Sequence, residues 1–247
     1  MDINLSKPGW RGRVGLVLPS SNTVTEPAFY ALAPRGISFH TSRTFIAGTT
    51  LKDVIAMEKG KERAVHELAS ARVDCIADCC TASGVVRGLT ADKAFCQGIE
   101  KETGIRTTST LQAIVEALKL LKLSKLVVTS PYPEEMDELE KAFFERNGFS
   151  VINIKGLGIK EGWRLGQVPP PEIYRLCCDA WDSRADGLFI SCMAFNSMPV
   201  IQALELALEV PVVTSNSATL WKILRIIGIT EPIWGYGRLL SDYASVK

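Results

Sequence analysis

The chain has 247 residues, 28 lysines and arginines against 27 aspartates and glutamates, a net charge of +1, and 47% hydrophobic residues. That balance supports a sizeable core and excludes a disordered chain. The absence of a basic cluster argues against nucleic acid or an anionic membrane surface as a partner. No apolar run approaches the roughly 18–20 residues of a membrane span, and Met1 to Pro8 lack the basic start and apolar middle of a signal peptide. Seven cysteines, an odd number without paired spacings, point to a reducing, cytoplasmic setting. With His40 and His66 as the two histidines, histidine-based metal sites and a Ser-His-Asp arrangement lose their basis. The adjacent pairs Cys79-Cys80 and Cys177-Cys178 are poor metal ligands, because neighbouring side chains on a strand point to opposite faces and no CxxC or histidine cluster completes a site. No metal is expected.

In chain order, the continuous apolar run Arg13 to Leu18 predicts a buried parallel strand. Pro19-Ser20-Ser21-Asn22 turns into a helix over Thr23 to Leu32, with Ser21 or Asn22 as N-cap. A strand at Ile37 to Ser42 follows, then one helix from Thr50 to about Ala71, carried by Leu51, Ile55, Ala56, Ala64, Val65 and Leu68. Val73 to Asp78 is a strand that delivers Cys80. Helices over Thr90 to Thr103 and Leu111 to Leu121 flank a short strand at Ile105 to Thr108.

The second half begins with a strand at Lys125 to Ser130 and a helix from Pro131 to Gly148, acidic in its first turn where the helix dipole favours it. Ser150 to Ile154 is a strand, and Gly156 to Gly166 a glycine-rich segment without the order of a dinucleotide-binding turn. It reads as a mobile flap. A helix at Glu172 to Ser183, a strand at Asp186 to Ser191 delivering Cys192, a helix at Met198 to Leu208, a strand at Val210 to Thr214 and a helix at Ala218 to Ile227 complete the pattern, with Ser215 to Ser217 capping the last. The end, Pro232 to Arg238, is turn-rich.

Strand and helix alternate throughout, which predicts an α/β fold with parallel sheets and right-handed crossovers. The pattern is also written twice. Pro19 precedes Cys80 by 61 positions, and Pro131 precedes Cys192 by the same 61. Two pseudo-symmetric four-stranded units of flavodoxin-like type fit this repeat, residues 1–122 and 123–247, with the last helix able to pack on the first half. Ligands of such sheets bind at the carboxyl ends of strands and in clefts between domains, where the two cysteines belong.

A free cysteine is usually a buried space-filler, and Cys75, Cys79, Cys96, Cys177 and Cys178, without partners in the duplication, are read as core or surface thiols. Cys80 and Cys192 differ because they occupy equivalent strand ends in a duplication. A thiol whose pKa is lowered by helix N-termini and hydrogen-bond donors serves as nucleophile or acid/base without a histidine. Small residues after each cysteine let backbone N–H groups approach a carboxylate or enolate oxygen. Asn22 and its neighbouring amides suit a carboxylate or phosphate as well as they suit simple N-capping. Tyr132 occupies the corresponding turn of the second half, as ligand contact or as a half-buried aromatic. Ser215-Asn216-Ser217 is read as a cap.

The order Pro19-Ser20-Ser21-Asn22-Thr23, a first cysteine after a strand, Pro131-Tyr132 opening the second half and Ser191-Cys192 resembles the aspartate/glutamate racemase superfamily, within it the branch of maleate cis-trans isomerase and arylmalonate decarboxylase. The resemblance spans nearly the whole chain. It implies cofactor-independent chemistry on a small carboxylate substrate, no nucleic-acid or membrane partner, and a homo-oligomer. Decarboxylases of that branch keep the second cysteine and have glycine at the first position, so Cys80 favours the isomerase. By resemblance Cys80 is the nucleophile that adds to the maleate double bond and Cys192 the acid/base. Asn22 and Tyr132 hold carboxylates with backbone amides near Thr81, Ala82, Met193 and Ala194. The isomerases resemble one another in an asparagine where this chain reads Gly162 to Gly166, so that contact is missing or supplied by Arg164. A two-cysteine racemase or epimerase and a decarboxylase of substituted malonates are the alternatives.

Overall fold

The computed structural model describes residues 8–245. The absence of a leader was read from a stretch of which Met1 to Lys7 lie outside the described residues. In the first half, β1 (Gly12–Pro19), β2 (Ile37–Thr44), β3 (Cys75–Asp78) and β4 (Thr107–Ser109) form a parallel sheet in the order β2-β1-β3-β4. In the second, β5 (Lys125–Ser130), β6 (Ser150–Gly156), β7 (Gly187–Ile190) and β8 (Val212–Thr214) form a second parallel sheet in the equivalent order β6-β5-β7-β8. The helices are α1 (Thr25–Leu32), α2 (Leu51–Glu58), α3 (Lys61–Ser70), α4 (Thr81–Arg87), α5 (Leu89–Thr103) and α6 (Thr110–Leu120), then α7 (Glu134–Arg146), α8 (Pro170–Ala180), α9 (Ile201–Leu208), α10 (Ser215–Ile226) and α11 (Arg238–Ser241). Short 3-10 turns lie at Gly162–Gln167 and Met198–Val200. Among the described residues no helix is long and apolar enough to cross a membrane.

The duplication is visible in hydrogen bonds as well as in topology. Asp74, just before β3, accepts from the Arg13 amide at 2.8 Å, and Asp186, just before β7, accepts from the Lys125 amide at 2.8 Å, each across 61 residues. Each central strand is therefore pinned to its neighbour at the edge opposite the cysteine. Alternation along β1 puts Val14, Leu16 and Leu18 into a core cluster that runs through both halves, and Val17 into a smaller one with Ala64, Val65 and Leu68 of α3. Helices α6 and α10 join the two sheets, with Thr219 and Thr110 hydroxyls 2.9 Å apart. Such a shared core leaves the strand ends of the two halves facing one another.

Three sequence expectations need correction. The helix predicted from Thr50 to Ala71 is two helices, α2 and α3, because the chain turns at Gly60 and Thr50 and Asp53 form a capping box for the first alone. Helix α4 begins directly after Cys80, where the sequence pattern predicts no helix before Thr90. A Cβ at Gly84 would stand 2.5 Å from the Leu111 Cβ, so glycine is what lets α4 lie on α6. Finally, α10 begins at Ser215 with Thr214 as its cap, closed by a capping box with Ser217.

Candidate active site

The first turn of the chain places Asn22 against the start of α1. Its carbonyl oxygen accepts from the Val24 and Thr25 amides at 2.9 and 3.0 Å, and its Nδ2 donates to Thr25 Oγ1 at 2.9 Å. The N-cap position itself is Val24, not Ser21 or Asn22 as expected; Asn22 braces the turn from two residues before it, and its second Nδ2 hydrogen is what it has left for a ligand. Tyr132, between two prolines, is held by its backbone: its amide donates to Ser130 Oγ and its carbonyl accepts from Gly158, both at 2.9 Å. Its ring is buried. A Cβ at Gly156 would lie 2.5 Å from the Tyr132 carbonyl oxygen, so this close approach requires glycine.

Cys80 ends the segment after β3 in an extended conformation and opens α4 as its N-cap residue. Cys192 ends the segment after β7 with φ +86°, and an irregular turn follows. Among the described residues three other non-glycine residues have positive φ, all of them exposed, whereas Cys192 is buried. A buried residue held in this region is a mark of strain over-determined by its surroundings. The surroundings can be named. Thr25 Oγ1 and Asn216 Nδ2 lie 3.0 and 3.1 Å from the Met193 carbonyl oxygen, which both donate to. In a trans peptide that fixes the Ala194 N–H on the opposite side, and the Ala194 amide favours the thiolate of Cys192.

Eight predicted residues line one cavity of about 440 Å³, its mouth included: Asn22, Cys80, Thr81, Ala82, Tyr132, Cys192, Met193 and Ala194. Ile46, Val54 and Leu165 supply apolar wall. No lysine or arginine is among the lining residues, so an anion there would be held by neutral donors. The Thr81 hydroxyl donates across to Ser215 Oγ at 2.8 Å, tying the start of α4 to the start of α10. Arg164 is not part of the cavity: it is exposed and pairs with Glu161 at 3.4 Å. The predicted substitute for the missing asparagine contact is therefore overturned, because the 3-10 turn carries Leu165 inward and Arg164 outward. The glycine-rich segment is tied to the first half, Thr49 donating to the Ile159 carbonyl at 2.9 Å and to the Lys160 carbonyl through its amide at 3.1 Å.

Burial pushes both thiols up, Cys80 to about 11 and Cys192 to about 12. What opposes burial differs. At Cys80 it is the Lys61 ammonium and the Ser83 amide, with Asp78 and Glu58 acting the other way. At Cys192 it is the Tyr132 hydroxyl and the Ala194 amide, with Cys80 and Glu140 acting the other way. Tyr132 in turn has its own ionisation suppressed by burial, so it remains a donor.

Sequence reasoning missed Lys61, Glu140, Thr25 and the bracing role of Asn216. Lys61 replaces an apolar residue in the α3 stripe with Ala64, Val65 and Leu68, and Glu140 does so in the α7 stripe with Met136, Phe143 and Phe144. A charge inside an apolar stripe was the available signal. The partners of Asn216 lie 21 to 191 positions away and left no local trace.

The family model for arylmalonate decarboxylase matches residues 14–240. The chain belongs to that family. Its relatives include a maleate isomerase of Nocardia farcinica (strain IFM 10152), 28% identical over 244 residues that cover 95% of this chain and 97% of the relative. An arylmalonate decarboxylase of Bordetella bronchiseptica is 26% identical over 167 residues, 66% of this chain and 69% of that one. Among solved structures, a cysteine-to-serine mutant of the Nocardia farcinica maleate cis-trans isomerase with a covalently bound succinylcysteine intermediate superposes with a TM-score of 0.88. It is 26% identical, covering 94% of this chain and 98% of the other. The α/β architecture of two four-stranded parallel sheets is that of these family members.

Proposed function

We propose that the chain isomerises a small cis-dicarboxylate, maleate to fumarate, without a cofactor and through a covalent cysteine adduct. The observation that carries this reading is two thiols, Cys80 and Cys192, lining one cavity from equivalent strand ends. The likeness to maleate isomerases supports it.

In this mechanism the Cys80 thiolate adds to one alkene carbon, and the π electrons move onto the other carbon and its carboxylate. The Cys192 thiol gives that carbon its proton, leaving a succinyl thioether on Cys80. The former double bond is now single and rotates. Cys192, as thiolate, removes the proton, the alkene re-forms in the trans geometry, and the C–S electron pair returns to Cys80. Atoms and charge balance with nothing added from outside. Asn22 Nδ2, the Tyr132 hydroxyl and the amides near Thr81, Ala82, Met193 and Ala194 hold the carboxylates and the charge developing on them.

Proton NMR of the protein with maleate in heavy water tests the proposal. Fumarate should appear, and should not appear with Cys80→Ser. Two facing thiols also suit a racemase, which is distinguished by deuterium uptake at an α-carbon when amino acids are offered. Inactivity toward maleate together with carbon dioxide release from an aryl malonate would replace the isomerase reading with decarboxylation.

A further inference from the structure

Beneath Cys80 lies a buried ionic cluster that the mechanism above does not use. Lys61 is 2% exposed. Its ammonium reaches Asp78 Oδ2 at 2.6 Å, Glu58 Oε1 at 2.9 Å and the Ser83 hydroxyl. Glu58 comes from α2, Asp78 from β3, Ser83 and Arg87 from α4. Arg87 bonds Glu58, Asp78 and Ser83 and extends the cluster to Asp92 of α5, while the Phe95 ring lies 5.7 Å from the ammonium. Cys80 is two residues beyond Asp78 and three before Ser83, so the cluster grips the cysteine segment from both sides.

We propose that Lys61 is a positioning residue whose ammonium favours the attacking thiolate of Cys80 over that of Cys192, and so decides which of the two cysteines is the nucleophile. The proposal rests on the reading of Cys80 as nucleophile and explains why that role falls to it.

Three observations support it. A buried ion pair is a poor way to stabilise a core compared with apolar packing, and position 61 falls on an apolar stripe where a leucine would fit the pattern. Burial disfavours the ammonium, yet Asp78 and Glu58 outweigh it and keep Lys61 charged. Among the influences on Cys80, Lys61 is the largest that favours the thiolate, and Asp78 and Glu58 oppose it. Behind Cys192 the buried acidic side chain is Glu140, bonded by Ser191; it supplies no cation, and once ionised it disfavours a thiolate. An opposite charge nearby lowers a pKa by about one to three units. Each unit raises the thiolate fraction tenfold while costing roughly threefold in nucleophilicity. For a thiol held near 11 the fraction wins.

The test is alkylation by iodoacetamide between pH 7 and 9, with adducts assigned to individual cysteines by peptide mass spectrometry and exposed Cys178 as the internal reference. Lys61→Met should slow Cys80 relative to Cys178 by roughly 3- to 50-fold. Glu58→Gln removes an opposing charge from a part-exposed side chain and should speed it. Loosened packing would move both variants in one direction, so opposite signs support the charge role. Equal rates, or shifts of one sign, overturn it. Where Lys61→Met does not fold, Glu58→Gln is read by the pH profile of Cys80 alkylation, which loosened packing alone does not displace: a profile shifted to lower pH supports the proposal, an unshifted or raised one overturns it. Because iodoacetamide reads the thiol itself, inactivity toward maleate would count against the proposed reaction and leave this result to stand on its own.

Discussion

The two halves share a skeleton and part company at the tips. Strand order, the Asp74 and Asp186 pins and the placement of a cysteine after the third strand are repeated. In the first half the cysteine is an extended N-cap residue leading into α4, with a cation beneath it. In the second it is a strained residue with φ +86°, leading into an irregular turn, with a carboxyl behind it. Duplication therefore accounts for where the thiols are, and the proposed division of their roles rests on the divergence of the buried charges. The two buried side-chain oxygens without a hydrogen-bond partner among the described residues, Asp78 Oδ1 and Glu140 Oε2, belong to these two charge groups. The polar imbalance of the molecule is concentrated behind its cysteines.

The comparison breaks most sharply at the thiols. Cys80→Ser should lower turnover of maleate by about 10³-fold or more, measured by fumarate formation, whereas an intact rate would remove the first half's special status. With the Cys80 thiol held near 11 and the Cys192 thiol near 12, the wild-type rate should climb with pH from neutrality toward 11 as the nucleophile ionises. It should fall once the acid loses its proton.

Next in size is the stability of the first half's cluster. Lys61→Met leaves buried Asp78 and part-exposed Glu58 with Arg87 as their remaining cation, and should cost up to about 3–5 kcal/mol in urea unfolding. The second half responds in the opposite sense. Burial lifts Glu140 from an ordinary 4.5 to about 8. The folded state therefore keeps this proton where the unfolded chain has lost it. Its stability contribution is full below about 4.5 and is lost as pH rises to about 8. Glu140→Gln should flatten this slope and raise stability at pH 8 by about 4 kcal/mol, seen by unfolding at several pH values. The smaller effect is that of Tyr132→Phe, which removes a donor to Cys192 and should lower kcat/KM by roughly 10- to 100-fold with the fold intact.

Much of this molecule was legible because its signals are local. Apolar runs such as Arg13 to Leu18 mark strands, and the equal spacing from each proline turn to each cysteine marks the duplication. Other features needed the third dimension. Gly60 splits a helix that periodicity alone runs together, and Gly84 sits inside α4 because Leu111 approaches it. Arg164 looked like a carboxylate ligand on charge, but the 3-10 turn directs Leu165 into the cavity instead. Lys61 and Glu140 were readable in principle as charges inside apolar stripes, yet their meaning depends on which strand end lies above them.

The most direct test of the division of labour is the mass of each single mutant after incubation with maleate, with the adduct located by peptide mapping. Cys192→Ser should carry one succinyl adduct on Cys80, because the attacking thiol and its Lys61 remain. Cys80→Ser should carry none on Cys192. A succinyl adduct on Cys192, or none on Cys80 in the first mutant, would contradict the account.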